Sequence, residues 1–252
     1  MIKALLARLQ QGHRTIRFPK PDPGLPERYR GRPVLNPAKC AADCKRCIDL
    51  CPTGALRKDA DGLAIDLGRC LFCAQCAGDC SAGAIEFSRD YRLAARSRAD
   101  LSVRDQEMKL AEALNEEIKN ILGRSLKLRQ VCAGGCNACE ADTNVLSTVV
   151  YDLGRFGVQF VASPRHADGL LITGPVTSNM KLALEKTYEA VPDPRIVIAV
   201  GACAISGGPY IDLPVVHNGA DAVVPVDLYV PGCPPHPLTI LDGLLRLLGR
   251  VK

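Results

Sequence analysis

The 252-residue sequence predicts two folded units of different class, a small α+β unit followed by an open α/β unit with a mostly parallel sheet. Two observations predict this. Within 40–87 a motif occurs twice with similar flanks: Cys44, Cys47 and Cys51 return at the same spacing as Cys73, Cys76 and Cys80, which implies a small unit of pseudo-twofold symmetry. From position 126 onward, short β-rich apolar runs alternate with helical stretches, the pattern of an open α/β sheet. At about 150 residues per domain, the length suits one large or two modest units. It is ample to bury a core without disulfide staples. Composition is near the globular average, at 47% hydrophobic and 23% charged, which excludes whole-chain disorder. The longest apolar runs, 170–172 and 196–200, fall far short of the roughly 18 residues of a membrane span. No signal-peptide core or cleavage site opens the chain, so export is not expected.

Residues 1–33 read as a basic arm. Residues 1–39 carry nine Lys/Arg against two Asp/Glu, whereas 124–252 carry eleven of each. Ile2, Leu5, Leu6 and Leu9 fall at helical spacing and predict a short amphipathic helix over 1–9, too short to stand without a surface. Pro19, Pro21, Pro23, Pro26 and Pro33 then force an extended path. Few aromatics (Phe18, Tyr29) interleave Arg28, Arg30 and Arg32, so a nucleic-acid platform is not supported and the arm reads as a solvated segment docking on a partner subunit. The repeat unit spans 34–90. Residues 91–123 read as a linker with one helix over 102–123. Ser102 and Asp105 would cap it, Leu110, Ala111, Leu114, Ile118, Ile121 and Leu122 would form its stripe, and Gly123 would stop it. The α/β unit spans 124–252. Its strands are expected at 127–131, 158–162, 169–173, 195–200 and 224–229, and its helices at 140–156, 179–190 and 238–248. The strands are near-continuous apolar runs, as when both faces of a sheet are covered.

Chemistry enters through 13 cysteines, an odd number and mostly two or three residues apart. Cys40, Cys44, Cys47 and Cys51 form one run, and Cys70, Cys73, Cys76 and Cys80 the other. Three thiolates on a tight loop can take three corners of an iron–sulfur cube. In the two-cluster arrangement the fourth Cys of each run serves the other cluster. This assigns Cys40, Cys44, Cys47 and Cys80 to one [4Fe–4S] cluster, and Cys70, Cys73, Cys76 and Cys51 to a second. Zinc sites use four ligands, often as two Cys-x-x-Cys pairs, and fit two repeated four-Cys runs poorly. Disulfides are not expected without a secretion signal. Over these residues the chain resembles bacterial two-cluster ferredoxins. It departs from them in having three residues between Cys40 and Cys44, where two are usual, and Ser81 where proline commonly follows. The longer spacing bears on loop geometry and reduction potential.

Cys132, Cys136, Cys139, Cys203 and Cys233 lie in three separate segments, each after an expected strand. Sites on open α/β sheets form beyond the carboxyl ends of strands, so these segments can meet. Neighbouring glycines admit close backbone approach, and Pro234, Pro235 and Pro237 fix the path into the last helix. The best set for a third [4Fe–4S] cluster is Cys136, Cys139, Cys203 and Cys233. Cys132 remains, as an inert thiol, an alternative ligand or a redox-sensitive group. Glu140 is either a first-turn helix residue favoured by the dipole or a candidate proton relay. No Gly-x-Gly-x-x-Gly follows a strand, so NAD or flavin binding is not supported.

Residues 125–252 resemble the small subunit of energy-converting membrane-bound [NiFe] hydrogenases and formate hydrogenlyase and, more distantly, the twenty-kilodalton subunit of complex I. The three Cys segments carry this, with residues 166–176, Asn179-Met180 and 231–237. The Cys136-x-x-Cys139 spacing matches the hydrogenase side, since complex I relatives have adjacent cysteines there. Residues 29–33 and 68–73 are similar to the ferredoxin-like electron-transfer subunit of the same complexes, so the chain looks like a fusion of the two. The resemblance implies a flavodoxin-like second unit and an oxidoreductase subunit passing electrons through three [4Fe–4S] clusters to or from an active site in a hydrogenase-like large subunit. It implies other electron-transfer and membrane subunits as partners, with formate dehydrogenase or soluble ferredoxin as donor. The chain would sit peripherally on the cytoplasmic side of the cell membrane, its membrane contact indirect. His166 and His236 would lie near the subunit interface as structural or hydrogen-bonding residues. The alternatives are a complex I-like module reducing quinone and a free-standing polyferredoxin carrier.

Overall fold

The computed structural model describes residues 2–19, 23–41, 43–60, 62–104, 108–122 and 125–251. The sequence repeat is a structural repeat. β1 (Pro33–Leu35), α2 (Arg46–Asp49) and β2 (Leu56–Asp59) recur in the same order and spacing as β3 (Gly62–Asp66), α3 (Gln75–Gly78) and β4 (Ile85–Phe87), the numbering following α1 (Ile2–Gln11) in the arm. β1 pairs antiparallel with β4 and β2 with β3, so each half donates a strand to the other. β5 (Ser102–Val103) extends the second ladder. The two short helices pack together and carry Cys47 and Cys76.

The second unit is an open α/β fold. It contains β6 (Leu126–Cys132), α5 (Ala138–Val145), β7 (Val158–Phe160), β8 (Gly169–Thr173), α6 (Ser178–Ala190), β9 (Ile196–Val200), α7 (Ala202–Ser206), β10 (Leu228–Val230) and α8 (Pro237–Leu247). The sheet order is β7-β6-β8-β9-β10, with every pairing parallel. In chain order this is 2-1-3-4-5, the flavodoxin-like doubly wound arrangement. β8 and β9 are buried along their whole length, which is why their sequences read as unbroken apolar runs. Leu35, Leu63 and Ile85 share one core cluster with Ile172, Ile205 and Tyr229, so apolar packing is continuous between the two units.

Three expectations are corrected. Residues 102–123 are not one helix; α4 spans Glu116–Leu122 only, and Asp105 and Gly123 lie outside the described residues. Ala111 and Leu114 are buried, but on a backbone that donates to Ala94 and Leu247 carbonyls at 2.7 and 2.9 Å. Tertiary partners, not helix, satisfy that segment. The helix expected over 140–156 ends at Val145. The β-branched run Thr148, Val149, Val150 holds helix poorly, and the chain turns and closes at Gly157 with φ +65°. Residues 224–227 precede the last strand rather than belong to it, and the Asp227 carboxylate caps the Val197 N–H at 2.9 Å.

The basic arm docks on its own chain. Ile16 N–H donates to the Val150 carbonyl, Thr15 Oγ1 to Val149, and Arg89 to Leu25, while Phe18 is buried against Tyr91. α1 forms as expected, with none of its residues buried. No helix among the described residues is long and apolar enough to cross a membrane.

Candidate metal centres

The first cysteine set meets at the repeat's pseudo-symmetric interface. Cys40, Cys44, Cys47 and Cys80 line one cavity of about 580 Å³. Burial first, then the charges of Cys40, Cys44 and Cys80, push the Cys47 thiol up from its ordinary value. Arg46 and Asp79, neighbours of Cys47 and Cys80, form a two-bond ion pair at 3.1 and 2.9 Å that ties the two runs together. The second set mirrors it. Cys51, Cys70, Cys73 and Cys76 line a second pocket. Thr53, buried beside Cys51, donates at 2.7 Å to the Arg69 carbonyl, joining the two runs again. Desolvation raises Cys70 to about 12, and desolvation with the Cys73 charge raises Cys76 to about 11.

The third set forms beyond the carboxyl ends of β6, β9 and β10, around the crevice between β6 and β8 where strand order reverses. Cys139 is raised by burial, then by Cys203, Glu140, Cys233 and Cys136. Cys203 reaches about 12, through burial and then Cys233, Cys136 and Glu140. Glycines make the approach possible: a Cβ at Gly201 would sit 2.5 Å from Cys139 Sγ, and one at Gly208 2.9 Å from Cys203 Sγ.

Four thiolates so close together repel one another, the more so at Cys139 and Cys203, which burial already pushes up. An electropositive iron centre is what would hold them deprotonated. Among the described residues, no three His, Cys, Asp or Glu close on a single ion. The first two sets instead ring a space. The three sets also follow one another in series. Cys76 of the second set feels the charge of Cys47 of the first, and Cys233 of the third feels Cys73 of the second.

Residues 136–247 match the family model for the NADH ubiquinone oxidoreductase 20 Kd subunit. A probable membrane-bound hydrogenase subunit, mbhJ, of Pyrococcus furiosus is 42% identical over 147 residues, covering 58% of this chain and 88% of that protein. The chain belongs to this 20 Kd subunit family. Formate hydrogenlyase subunit 7 of Escherichia coli is 45% identical over 129 residues, covering 51% of this chain and 51% of that protein, so the match spans about half of it. The B subunit of NADH-quinone oxidoreductase from Heliobacterium modesticaldum is 41% identical over 121 residues, covering 48% and 69%. These 20 Kd family members are oxidoreductase subunits, and so is this chain.

The family model begins at Cys136. Cys132 is exposed at the end of β6, in register with Thr173. Glu140, next to Cys139, is buried in the first turn of α5 and accepts from Thr173 Oγ1 at 2.5 Å. His166 precedes β8 and is exposed at the amino-terminal end of the strands, opposite the end that carries the thiols. His236 caps α8, its Nδ1 accepting from the Leu238 N–H at 3.2 Å, and it meets the Tyr29 ring edge-on at 5.2 Å. Burial lowers its pKa.

Composition alone did not single out Arg30. Its guanidinium donates to the Phe72 and Cys73 carbonyls at 3.3 and 2.8 Å, beside a cleft that Cys233 also lines. The arm thus ties down the second set's loop at the rim of that cleft. Arg30→Ala is expected to loosen that loop by about 1 kcal/mol, in keeping with an exposed hydrogen-bonded cation. Amide hydrogen exchange over residues 70–76 should speed up in the variant, measured by mass spectrometry. An unchanged rate would show the contact to be incidental.

Proposed function

We propose that the chain is a three-cluster electron wire of a membrane-associated [NiFe] hydrogenase-like complex. It would carry one [4Fe–4S] cluster at Cys40, Cys44, Cys47 and Cys80, a second at Cys70, Cys73, Cys76 and Cys51, and a third at Cys136, Cys139, Cys203 and Cys233. The single observation that carries this is the succession of the three thiol sets: α2 and α3 pack together with Cys47 and Cys76 on them, and the cleft that Cys233 lines also takes in Leu71, Phe72 and Arg30, whose guanidinium donates to the Cys73 carbonyl at 2.8 Å. On this reading the first unit is a two-cluster ferredoxin-like module. The β1–α2–β2 and β3–α3–β4 halves, with exchanged strands, support that. When bound, the clusters supply one-electron storage. The protein supplies hydrogen bonds to sulfur, burial and spacing.

Cys136 and Cys233 are exposed at the third site, which suits a large subunit seated there whose active site exchanges electrons with that cluster. Other electron-transfer and membrane subunits would complete the assembly, with formate dehydrogenase or a soluble ferredoxin as donor. The chain would lie peripherally on the cytoplasmic face of the cell membrane through those partners. On this reading Glu140, buried in the first turn of α5 and accepting from Thr173 Oγ1 at 2.5 Å, is the candidate proton relay at the third site. A complex I-like, quinone-reducing assembly is the second reading, favoured by the likeness to the NADH-quinone oxidoreductase relative. The Cys136-x-x-Cys139 spacing argues for the hydrogenase side.

Iron and acid-labile sulfide should each reach about twelve per chain. Cys203→Ser should reduce both to about eight and remove one of three paramagnetic signals. A wild-type content near eight, or three signals surviving in the variant, would refute the third site.

A further inference from the structure

The two halves of the repeat are not equivalent at one position. Lys58 stands near the end of β2, and at the matching position of the second half, the end of β4, stands Phe87. Phe87 lines the second cavity and meets Phe72 with ring centroids 6.3 Å apart. Lys58 instead turns to the first set: its Nζ donates to Cys40 Sγ at 3.4 Å and to the Ala41 carbonyl at 2.5 Å. The sulfurs of Cys51, Cys70 and Cys80 accept from backbone N–H groups of Ala55, Phe72 and Ala84. Cys40 thus receives a cationic donor, not a neutral one. The second bond falls on Ala41, inside the Cys40–Cys44 segment that is one residue longer than Cys70–Cys73. The lysine therefore both clamps the lengthened loop and places a positive charge at the ligand.

We propose that Lys58 raises the reduction potential of the first cluster above that of the second, making the outer end of the wire the place where an electron rests. This depends on the reading of Cys40, Cys44, Cys47 and Cys80 as a cluster site. Reduction adds one negative charge to a centre that already carries four thiolates. An ammonium within hydrogen-bond reach stabilises the reduced form more than the oxidised one, whereas an aromatic ring offers no such charge. The step is a one-electron exchange: the second cluster is oxidised as the first is reduced, and no proton or bond changes hands.

The test is a redox titration of the purified full chain followed by electron paramagnetic resonance. The first cluster's signal is the one lost in Cys40→Ala. In Lys58→Gln, the reduced-to-oxidised ratio of that signal, measured at the wild-type midpoint, should fall about tenfold, equivalent to about 59 mV for one electron. Lys58→Arg should keep the wild-type midpoint. The other two signals should not move in either variant. A full iron content with an unshifted first midpoint in Lys58→Gln overturns the role of Lys58 and leaves the wire intact. A Cys40→Ala chain that keeps all its iron overturns the cluster assignment itself. If Lys58→Gln sheds the cluster, the reciprocal variant Phe87→Lys decides. It should raise the second midpoint by a similar amount, and an unmoved midpoint there overturns the proposal.

Discussion

Replacing Arg246 by alanine is expected to destabilise the folded chain by about 3–5 kcal/mol, the range for removing one partner of a buried ion pair. Its Nε donates to Asp242 Oδ2 at 2.7 Å, one turn away on α8, and the two side chains are only 6% and 3% exposed. All eleven residues of α8 are buried, so water cannot replace the lost guanidinium. Burial pushes the Asp242 carboxyl up, against the pull of Arg246 and then Arg92. Without Arg246 that carboxylate is left nearly uncompensated. The double variant Asp242→Leu with Arg246→Met removes both charges at similar volume and should recover most of the loss. Urea unfolding of the three chains reads the difference directly. A loss below about 1 kcal/mol in Arg246→Ala, the scale of an exposed pair, would mean that Asp242 finds another partner. The consequence reaches the third site, because the loop that leads into α8 carries Cys233.

The cysteine spacings, and the recurrence of Cys44, Cys47 and Cys51 as Cys73, Cys76 and Cys80, were visible in the sequence, because a tight loop can present several thiols only at short intervals. The parallel strands were visible for a similar reason: a strand covered on both faces must be apolar throughout, as β8 and β9 are. Residues 102–123 misled because Leu110, Ala111 and Leu114 are apolar for tertiary reasons. A strap pinned to Ala94 and Leu247 buries Ala111 and Leu114, as the stripe of a helix would. Nothing local distinguishes the two. The arm's contacts with its own chain were not legible either, since Val149, Val150 and Ser88 lie far along the sequence. Lys58 could have been noticed by laying one half of the repeat on the other, where a lysine faces a phenylalanine. Its contact with Cys40 needed the strand geometry.

Gly201→Ala is expected to abolish the third cluster while the first two survive. Gly201 ends β9 with φ +91° and ψ 156°, a conformation open essentially to glycine, so a side chain there costs about 1–3 kcal/mol before any contact is considered. The added methyl would also sit 2.5 Å from Cys139 Sγ and 3.5 Å from the Gly232 carbonyl. The first is far inside van der Waals contact, and the atom displaced is a cluster ligand on the proposed reading. The backbone cannot yield easily, because Gly201 N–H donates to the Val230 carbonyl and Ala202 N–H to that of Gly232, both at 2.8 Å. Cys139 must therefore move, and iron should fall from about twelve to about eight per chain with loss of one paramagnetic signal. Gly78→Ala is the matched control. It closes α3 between Cys76 and Cys80, and a Cβ there meets nothing within 4 Å. It should keep the full iron content. A Gly201→Ala chain with all its iron and an unmoved third signal would show that Cys139 does not point into the cluster. Cys132, at the end of β6, would then be the thiol to test as the fourth ligand.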